Sequence, residues 1–239
     1  MIVIEIAGKK GAGKTTLASH LAYYYGNEGL TVYRTSFASA LKKLIRSVGL
    51  SKTRIIRHIT WPDFWGELQS ECQKLLKKSG YTKKSDWFDF NQLFTSNLDK
   101  IKEGYNFAFY QDKVAEGYRI IAQVLGTEVF RAFDEDFWVK QVKAQLKQVE
   151  SVADIVIIDD YRFFNEFLSD FNTYAIRLEL MGYKENDTHP SETEVENVPY
   201  HLKVIRKGNN YFPKLEMIPA FIAGFFAKKC DSKTYNLIA

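Results

Sequence analysis

The sequence predicts a three-layer α/β fold, in which helices cover both faces of a central parallel sheet. Short apolar strands alternate with helical patterns along much of the chain, as expected for parallel strands joined by crossover helices. Residues 155–158 are entirely aliphatic, which is typical of a strand buried on both faces. A glycine-rich turn at 8–13 joins the first strand to the first helix.

The composition limits both the architecture and the class of partner. The chain has 239 residues, of which 46% are hydrophobic, so it can form one globular domain or one core domain with an insertion. The net charge of +4 suits an enzyme of anionic metabolites and also a weak nucleic-acid binder. Because no run of lysine or arginine dominates, we expect no nucleic-acid partner.

The expected core consists of residues 1–50 and 119–239. Its strands are predicted at 2–7, 31–36, 155–158, 174–180 and 203–206, the last strand of the sheet. Its helices are predicted at 14–25, 38–48, 119–125, 134–150, 162–170 and 213–227, and Gly126 is expected to break the third of these. Residues 182–199 are polar and contain two prolines, which indicates an exposed loop.

The middle of the chain, residues 51–118, shows no parallel-strand pattern. It is rich in aromatic residues, which more often form a core than stack on a ligand. One helix is predicted from a cap at Asp63 to Lys78, and another from Ser85 or Asp86 to about Lys102. We therefore expect a helical insertion here.

A phosphate-binding loop occupies residues 8–15, where G-K-K-G-A-G-K-T matches G-x-x-x-x-G-K-[ST] at every fixed position. The glycines allow positive φ, so that successive N–H groups point inward and bind phosphate oxygens. Lys14 adds a charge between the β- and γ-phosphates, and the Thr15 hydroxyl is a ligand for Mg²⁺. The flanking strand and helix are the context that such a loop requires, so the sequence predicts binding of a nucleoside triphosphate.

Asp159 and Asp160 follow the aliphatic strand directly. Ligands of open parallel sheets lie beyond the carboxyl ends of the strands, so one of these carboxylates is expected to reach Mg²⁺ through water. The sequence does not decide which of the two does so, and an N-cap of the next helix is the alternative role. No Cys/His cluster is present, and Mg²⁺ is the metal expected.

The location expected from the sequence is the cytoplasm. The first eight residues have no basic region before the apolar stretch, which indicates a strand rather than a signal peptide. Residues 217–227 are too few to span a bilayer, and Cys72 and Cys230 lack metal or redox spacing. We therefore expect no membrane association.

Three strings resemble the deoxynucleoside monophosphate kinases of tailed bacteriophages, which have the P-loop kinase fold. The first is R-I-I-A-Q-V-L-G-T-E-V-F-R at 119–131, followed by D-F-W-V at 136–139. The second is I-I-D-D-Y-R-F-F-N-E at 157–166, and the third is D-T-H-P-S-E at 187–192. A weaker match joins Phe37-Ala38 with Lys42. A guanine-specific N-K-x-D string is absent, which argues against a GTPase switch.

The resemblance implies roles for individual residues. The donor phosphates are bound by Gly8, Gly11, Ala12, Gly13, Lys14, Thr15 and Thr16. The acceptor faces Lys42, Arg119, Gln123, Gly126, Thr127, Glu128, Arg131 and Trp138, with 51–118 as a further acceptor-binding region. The catalytic residues are Lys14, Arg131, Asp160 and Arg162. A mobile lid at about 182–202 contains Asp187, His189 and Glu192.

The implied activity is Mg²⁺-dependent transfer of the γ-phosphate of ATP to a deoxynucleoside monophosphate, by a homodimer in the cytoplasm of a phage host. Two alternatives stay open: a kinase of phosphomevalonate or dephospho-coenzyme A type, and a non-catalytic P-loop switch. The chain departs from the family near the expected donor base. Arg177 stands inside a strand, and Met181-Gly182 follow Leu180 where the family often has an arginine. Ile205-Arg206-Lys207-Gly208 stand near the last strand, where the family has an asparagine.

Overall fold

The computed structural model describes residues 1–182 and 189–235, with the backbone alone for 228–235. Asp187, one of the expected lid residues, lies outside the described residues. The chain divides into two compact units. The first unit comprises residues 1–36 and 146–239, and the second comprises 37–145. The expected insertion, 51–118, falls inside the second unit.

A mostly parallel sheet forms the centre of the first unit. Within the described residues it has the strand order β2-β3-β1-β4-β5-β6, and only β6 runs antiparallel to its neighbour. The strands are β1 Ile2–Ala7, β2 Val32–Thr35, β3 Ile155–Tyr161, β4 Asn172–Leu180, β5 Leu202–Lys207 and β6 Asn210–Phe212. The central strands are those with the most aliphatic sequences, because both of their faces are buried. The α/β class with a central parallel sheet is confirmed, and it is consistent with a P-loop kinase-like fold.

Two long helices cover one face of this sheet. They are α1, Lys14–Asn27, and the last helix of the chain, Ile218–Tyr235. Alternate residues of β1 pack with apolar side chains of both helices, since alternate side chains of a strand point to the same face. The buried cluster includes Ile4, Ile6, Leu17, Leu21, Ile218 and Ile222.

The second unit is helical, and its core is aromatic. Its helices are α2 Ser39–Ser47, α3 Trp61–Lys78, α4 Lys84–Ser96, α5 Leu98–Phe109, α6 Val114–Gln123, the π-helical Val124–Arg131, and the first turns of α7 Phe137–Val149. Phe90 and Phe137 both pack on Phe130, with ring centroids 4.8 and 4.6 Å apart. The expectation that most of these aromatic residues form a core is confirmed, although Phe88 is 70% exposed.

Two predicted helix ends in this unit are wrong. The helix expected to run to about Lys102 ends at Ser96, because the Asn97 side chain donates to the Leu93 carbonyl at 3.0 Å and a new helix begins at Leu98. Gly126 does not break its helix. The helix continues through Gly126 in π form to Arg131, and Gly126 is buried where α2 approaches.

Three predictions in the first unit also need correction. The helix expected at 162–170 is only a 3₁₀ turn, Phe164–Glu166, whose ends are fixed by buried carboxylates. Residues 189–198 are not simply an exposed loop, since they contain α8, Pro190–Thr193, and bury four side chains: Ser191, Glu192, Val195 and Val198. Finally, β6 follows the strand expected to be last, and the closing helix, here α9, begins at Ile218 rather than Pro213.

The helices of the described part of the chain are each too short or too polar to cross a lipid bilayer.

Candidate nucleotide-binding site

The loop at 8–15 lies between β1 and α1, as its sequence pattern requires. Gly8 starts it where the backbone of β4 comes so close that a Cβ would lie 2.5 Å from the Leu178 carbonyl oxygen. Gly13 ends it with φ of 99°, in the left-handed region, and caps α1. The N–H groups of the loop and of the first turn of α1 are thereby gathered at one positive helix end, which suits phosphate.

Lys14 is folded back onto this loop. Its Nζ donates to the carbonyl oxygens of Gly8 and Lys9 at 2.5 and 2.8 Å. Burial, and then the positive charge of Arg162, lower the pKa of Lys14 to about 8, although three nearby carboxylates oppose this shift. The positive charges of Lys14 and Arg162 therefore act on each other, and an anion bound at the loop would relieve this repulsion.

The Asp159-Asp160 pair ends β3 beside the loop, because β3 runs parallel to β1 and pairs Tyr161 with Ala7. Asp159 forms a salt bridge with Arg34 of β2 at 3.3 Å, and Arg34 also donates to the Ser19 hydroxyl of α1 at 3.1 Å. Asp160 raises the pKa of Lys14 more than Asp159 does, so its carboxylate has the stronger electrostatic effect on the loop lysine.

Within the described residues no three acidic, histidine or cysteine side chains cluster as a complete metal site. A magnesium ion bound with a triphosphate takes most of its ligands from phosphate and water, and needs only one or two protein oxygens. The exposed Thr15 hydroxyl and the half-buried carboxylate of Asp160 fit this limited requirement.

Arg162 and Glu192 link the end of β3 to the expected lid. The Arg162 guanidinium pairs with the Glu192 carboxylate and donates to the Ser191 carbonyl at 2.9 Å. The other Glu192 oxygen accepts the Lys10 N–H of the loop at 2.9 Å. Burial alone would raise the pKa of Glu192, but Arg162, the Lys10 N–H and Lys14 outweigh it and hold that pKa below its usual value.

Other residues of 189–198 also reach the loop. His189 caps α8 by accepting the Ser191 N–H at 3.2 Å. The side chain of Lys9, which the motif leaves free, pairs with Glu196 at 2.5 Å, and Arg177 donates to the Glu196 carbonyl. The structure therefore places Glu192 and Glu196 in contact with the phosphate loop and His189 at the cap of α8.

The β5–β6 hairpin contributes two side chains that sequence reasoning did not assign. Arg206 donates from Nη1 to the Gly11 carbonyl at 3.0 Å, and its guanidinium lies over the Tyr211 ring, 5.8 Å from the centroid. The Tyr211 hydroxyl oxygen would lie 2.7 Å from a Cβ built on Gly13. No sequence signal could identify this pair, because it depends on the antiparallel register that sets Arg206 opposite Tyr211.

The expected acceptor residues all lie in the second unit, on α2, α6, α7 and the π-helical segment. Gly126 lets α2 approach closely, since a Cβ there would lie 3.1 Å from a Leu41 methyl group. Trp138 donates from its indole nitrogen to the Gly126 carbonyl at 2.9 Å. Glu128 pairs with Lys100, and Arg131 donates to the Glu135 carbonyl at 3.2 Å.

Four of these residues are spaced by four along one continuous helix: Arg119, Gln123, Thr127 and Arg131. In a straight α-helix, a step of four residues turns slightly more than once, so such a row drifts around the axis. A π-helix has a longer hydrogen-bonded ring, so the same step turns slightly less than once. The π-helical segment therefore reduces the drift of this row around the helix axis.

Comparisons with known proteins agree with this description at a coarse level. Residues 2–85 match the family described as Novel STAND NTPase 3. A protein of Acanthamoeba polyphaga mimivirus, named "Putative deoxynucleotide monophosphate kinase", is 27% identical over 205 residues. The aligned region covers 83% of this chain and 84% of the viral protein.

The fold and these similarities together suggest a kinase-like or NTPase function. In proteins of that kind, a loop with the pattern found at 8–15 binds the phosphates of a nucleoside triphosphate. Lys14, Asp160, Arg162 and Glu192 are among the charged residues at the loop, and side chains of these types are suited to phosphoryl chemistry.

Proposed function

We propose that this protein transfers the γ-phosphate of ATP to a deoxynucleoside monophosphate, with Mg²⁺, to give the diphosphate. The observation that carries the proposal is the link from Arg162 to the phosphate loop: Arg162 pairs with Glu192, whose other oxygen accepts the Lys10 N–H at 2.9 Å. The charge of Arg162 is strong enough to lower the pKa of Lys14. Two such cations suit the charge that spreads over a phosphoryl group during its transfer.

On the donor side, the loop N–H groups and Lys14 hold the β- and γ-phosphates. When bound, Mg²⁺ would neutralise part of the phosphate charge. We assign Thr15 and, through water, Asp160 to this ion, because Asp160 has the stronger electrostatic effect on Lys14 and Asp159 is paired with Arg34. Arg162 stabilises the charge of the transferred group.

On the acceptor side, the row from Arg119 to Arg131 binds the monophosphate. Two guanidinium groups suit this task because each can donate two parallel hydrogen bonds to phosphate oxygens. An oxygen of the acceptor phosphate attacks the γ-phosphorus, and the bond from that phosphorus to the β-phosphate oxygen breaks. ADP leaves with the electron pair. The acceptor phosphate is already an anion, so the step needs no general base.

The name of the mimiviral relative supports a deoxynucleotide acceptor, and the resemblance of 119–131 supports it independently. A kinase of another phosphorylated small molecule would use the same donor machinery. A second candidate function is an NTPase switch, which the family match over 2–85 favours because it covers the phosphate loop.

A coupled assay of ADP release tests the proposal. Each deoxynucleoside monophosphate, each ribonucleoside monophosphate, phosphomevalonate and dephospho-coenzyme A are supplied in turn with Mg-ATP, and one reaction has no acceptor. We expect rapid ADP release with at least one deoxynucleoside monophosphate and little without an acceptor. Release that is independent of acceptor would support the switch, and release with phosphomevalonate or dephospho-coenzyme A alone would support the other kinases.

A further inference from the structure

A buried carboxylate holds the backbone of Arg162 in place. Glu166 is only 3% exposed and ends the 3₁₀ turn that follows β3. Its Oε2 accepts two backbone hydrogen bonds, from the N–H of Arg162 at 2.8 Å and from the N–H of Phe163 at 3.1 Å. The carboxylate therefore contacts the chain at the residue that carries the guanidinium.

The other end of this turn is fixed by a second buried carboxyl group. Glu5 of β1 is fully buried and accepts the Leu168 N–H at 3.2 Å, while the Thr173 hydroxyl donates to the Leu168 carbonyl at 2.6 Å. Burial raises the pKa of Glu5 well above its usual value, against the effect of the Leu168 N–H, and the charge of Glu166 adds to that rise. Glu5 thus attaches Leu168 to the sheet, while Glu166 holds the backbone at 162 and 163 against the turn.

The turn between these ends has little regular structure to support it. A 3₁₀ helix of three residues has few internal hydrogen bonds, so the direction of the chain at Arg162 depends on side-chain acceptors. Without Glu166, the N–H groups of Arg162 and Phe163 would lose a buried acceptor, and the backbone would move to find another. A shift there would carry the Arg162 guanidinium away from Lys14 and Glu192.

We propose that Glu166 is a positioning residue for phosphoryl transfer, acting through the backbone of Arg162. This inference rests on the proposed function, because it gives Arg162 a role in the transfer step. Glu166 itself touches neither substrate. Its effect should therefore appear in kcat rather than in the KM for ATP, since the loop at 8–15 keeps its own contacts.

A double-mutant cycle separates positioning from general stabilisation. Arg162→Ala, Glu166→Ala and the double variant are compared for kcat, for the KM of ATP and for binding of ATP in the absence of acceptor. Because a misplacement of about 1 Å can cost about 100-fold in rate, we expect Glu166→Ala to lower kcat by about 10- to 100-fold. The double variant should have the kcat of Arg162→Ala to within about a factor of two.

Two further variants keep the test informative if Glu166→Ala folds poorly. Glu166→Gln retains a carbonyl oxygen that can accept both N–H groups, so it should recover most of the lost kcat. Glu5→Gln changes the neighbouring buried carboxyl group, which contacts Leu168 and not Arg162, so it should leave kcat unchanged even if it lowers the melting temperature.

The outcomes are distinct. An unchanged kcat in Glu166→Ala, or losses that multiply in the double variant, would overturn the positioning role while leaving the proposed function intact. A loss of kcat in Glu5→Gln as large as the loss in Glu166→Ala would also overturn it, because it would show a general dependence on stability. Absence of acceptor-dependent ADP release from the unchanged protein would instead refute the proposed function.

Discussion

The phosphate loop in the first unit and the helical row in the second unit are built from different parts of the chain. The loop offers backbone N–H groups, which are fixed by glycine geometry and by the strand and helix on either side. The row at 119–131 offers side chains of arginine, glutamine and threonine on a helix that is partly in π form. The first site is specified over a few consecutive residues, whereas the second depends on how a whole helix packs.

This difference predicts how each site responds to substitution. A loop made of backbone groups tolerates changes at its free positions but not at the glycines or at Lys14. A row of side chains should lose function one residue at a time, with smaller and more separable effects. The following predictions test that contrast, from the largest effect to the smallest.

Lys14→Ala should cause the largest loss. It removes the lysine that we assign to the β- and γ-phosphates, so kcat should fall by at least about 1,000-fold. Steady-state ADP release with the preferred acceptor measures this. Lys203→Ala is the control, because Lys203 is an exposed lysine of the same unit paired with Glu179 at 2.8 Å. Near-normal turnover in Lys14→Ala would remove the loop from the mechanism.

Arg131→Ala should mainly damage use of the acceptor. Loss of a forked guanidinium contact to phosphate should raise the KM for the monophosphate by up to about 100-fold, and the KM for ATP should stay unchanged. Arg46→Ala, an exposed arginine at the end of α2 in the same unit, is the matched control. If both KM values rose together, the separation of donor and acceptor sites drawn here would be wrong.

Gly13→Ala should weaken ATP binding by about tenfold or more for two reasons. Alanine would have to adopt the left-handed backbone conformation of Gly13, and its Cβ would lie only 2.7 Å from the Tyr211 hydroxyl oxygen. Gly29→Ala separates these two causes. Gly29 has a similar φ of 79° but no heavy atom near its Cβ position. It should lower the free energy of unfolding by about 1–2 kcal/mol and leave the Kd for ATP unchanged. Equal losses of ATP affinity in both variants would show that close packing at Gly13 is unimportant.

Trp138→Phe should have the smallest effect. It removes the indole hydrogen bond to the buried Gly126 carbonyl, which should cost about 1–2 kcal/mol in the free energy of unfolding, with a modest rise in acceptor KM. Urea denaturation measures the first and kinetics the second. Trp87→Phe is the control, since the Trp87 ring stacks on Phe90 and its indole N–H donates to no group among the described residues. Equal destabilisation by the two changes would mean that the indole hydrogen bond contributes little.

Both sites show how far local sequence information reaches. The phosphate loop, β1, α1 and the aliphatic β3 follow from patterns within a few residues, and the structure agrees with them. The prediction of a helix at 162–170 was wrong because tertiary contacts override the local sequence pattern. The pattern there looks helical, but Glu166 turns inward to accept N–H groups at 162 and 163, and the chain forms a single 3₁₀ turn instead.

The prediction that Gly126 breaks its helix was wrong for a related reason. Glycine lowers helix propensity, yet the helix passes through it because α2 packs against the space that a side chain would fill. The resemblance placed Lys42, Gly126 and Trp138 in one acceptor set, and the structure shows the Trp138 indole hydrogen-bonded to the Gly126 carbonyl, with a methyl group of Leu41 next to the Cβ position of Gly126. The roles of the set in binding stay predictions.

By itself, the sequence determined the fold class, the phosphate loop and the acidic end of β3, because each depends on short-range periodicity or on a motif whose residues are consecutive. Only the tertiary structure decided that Glu192 contacts the Lys10 N–H and Arg162, that Arg206 and Tyr211 lie beside Gly11 and Gly13, and that Glu166 anchors Arg162. The first two of these contacts join residues far apart in the chain. The third depends on a side chain that is buried rather than exposed, and burial is set by the packing of the whole unit.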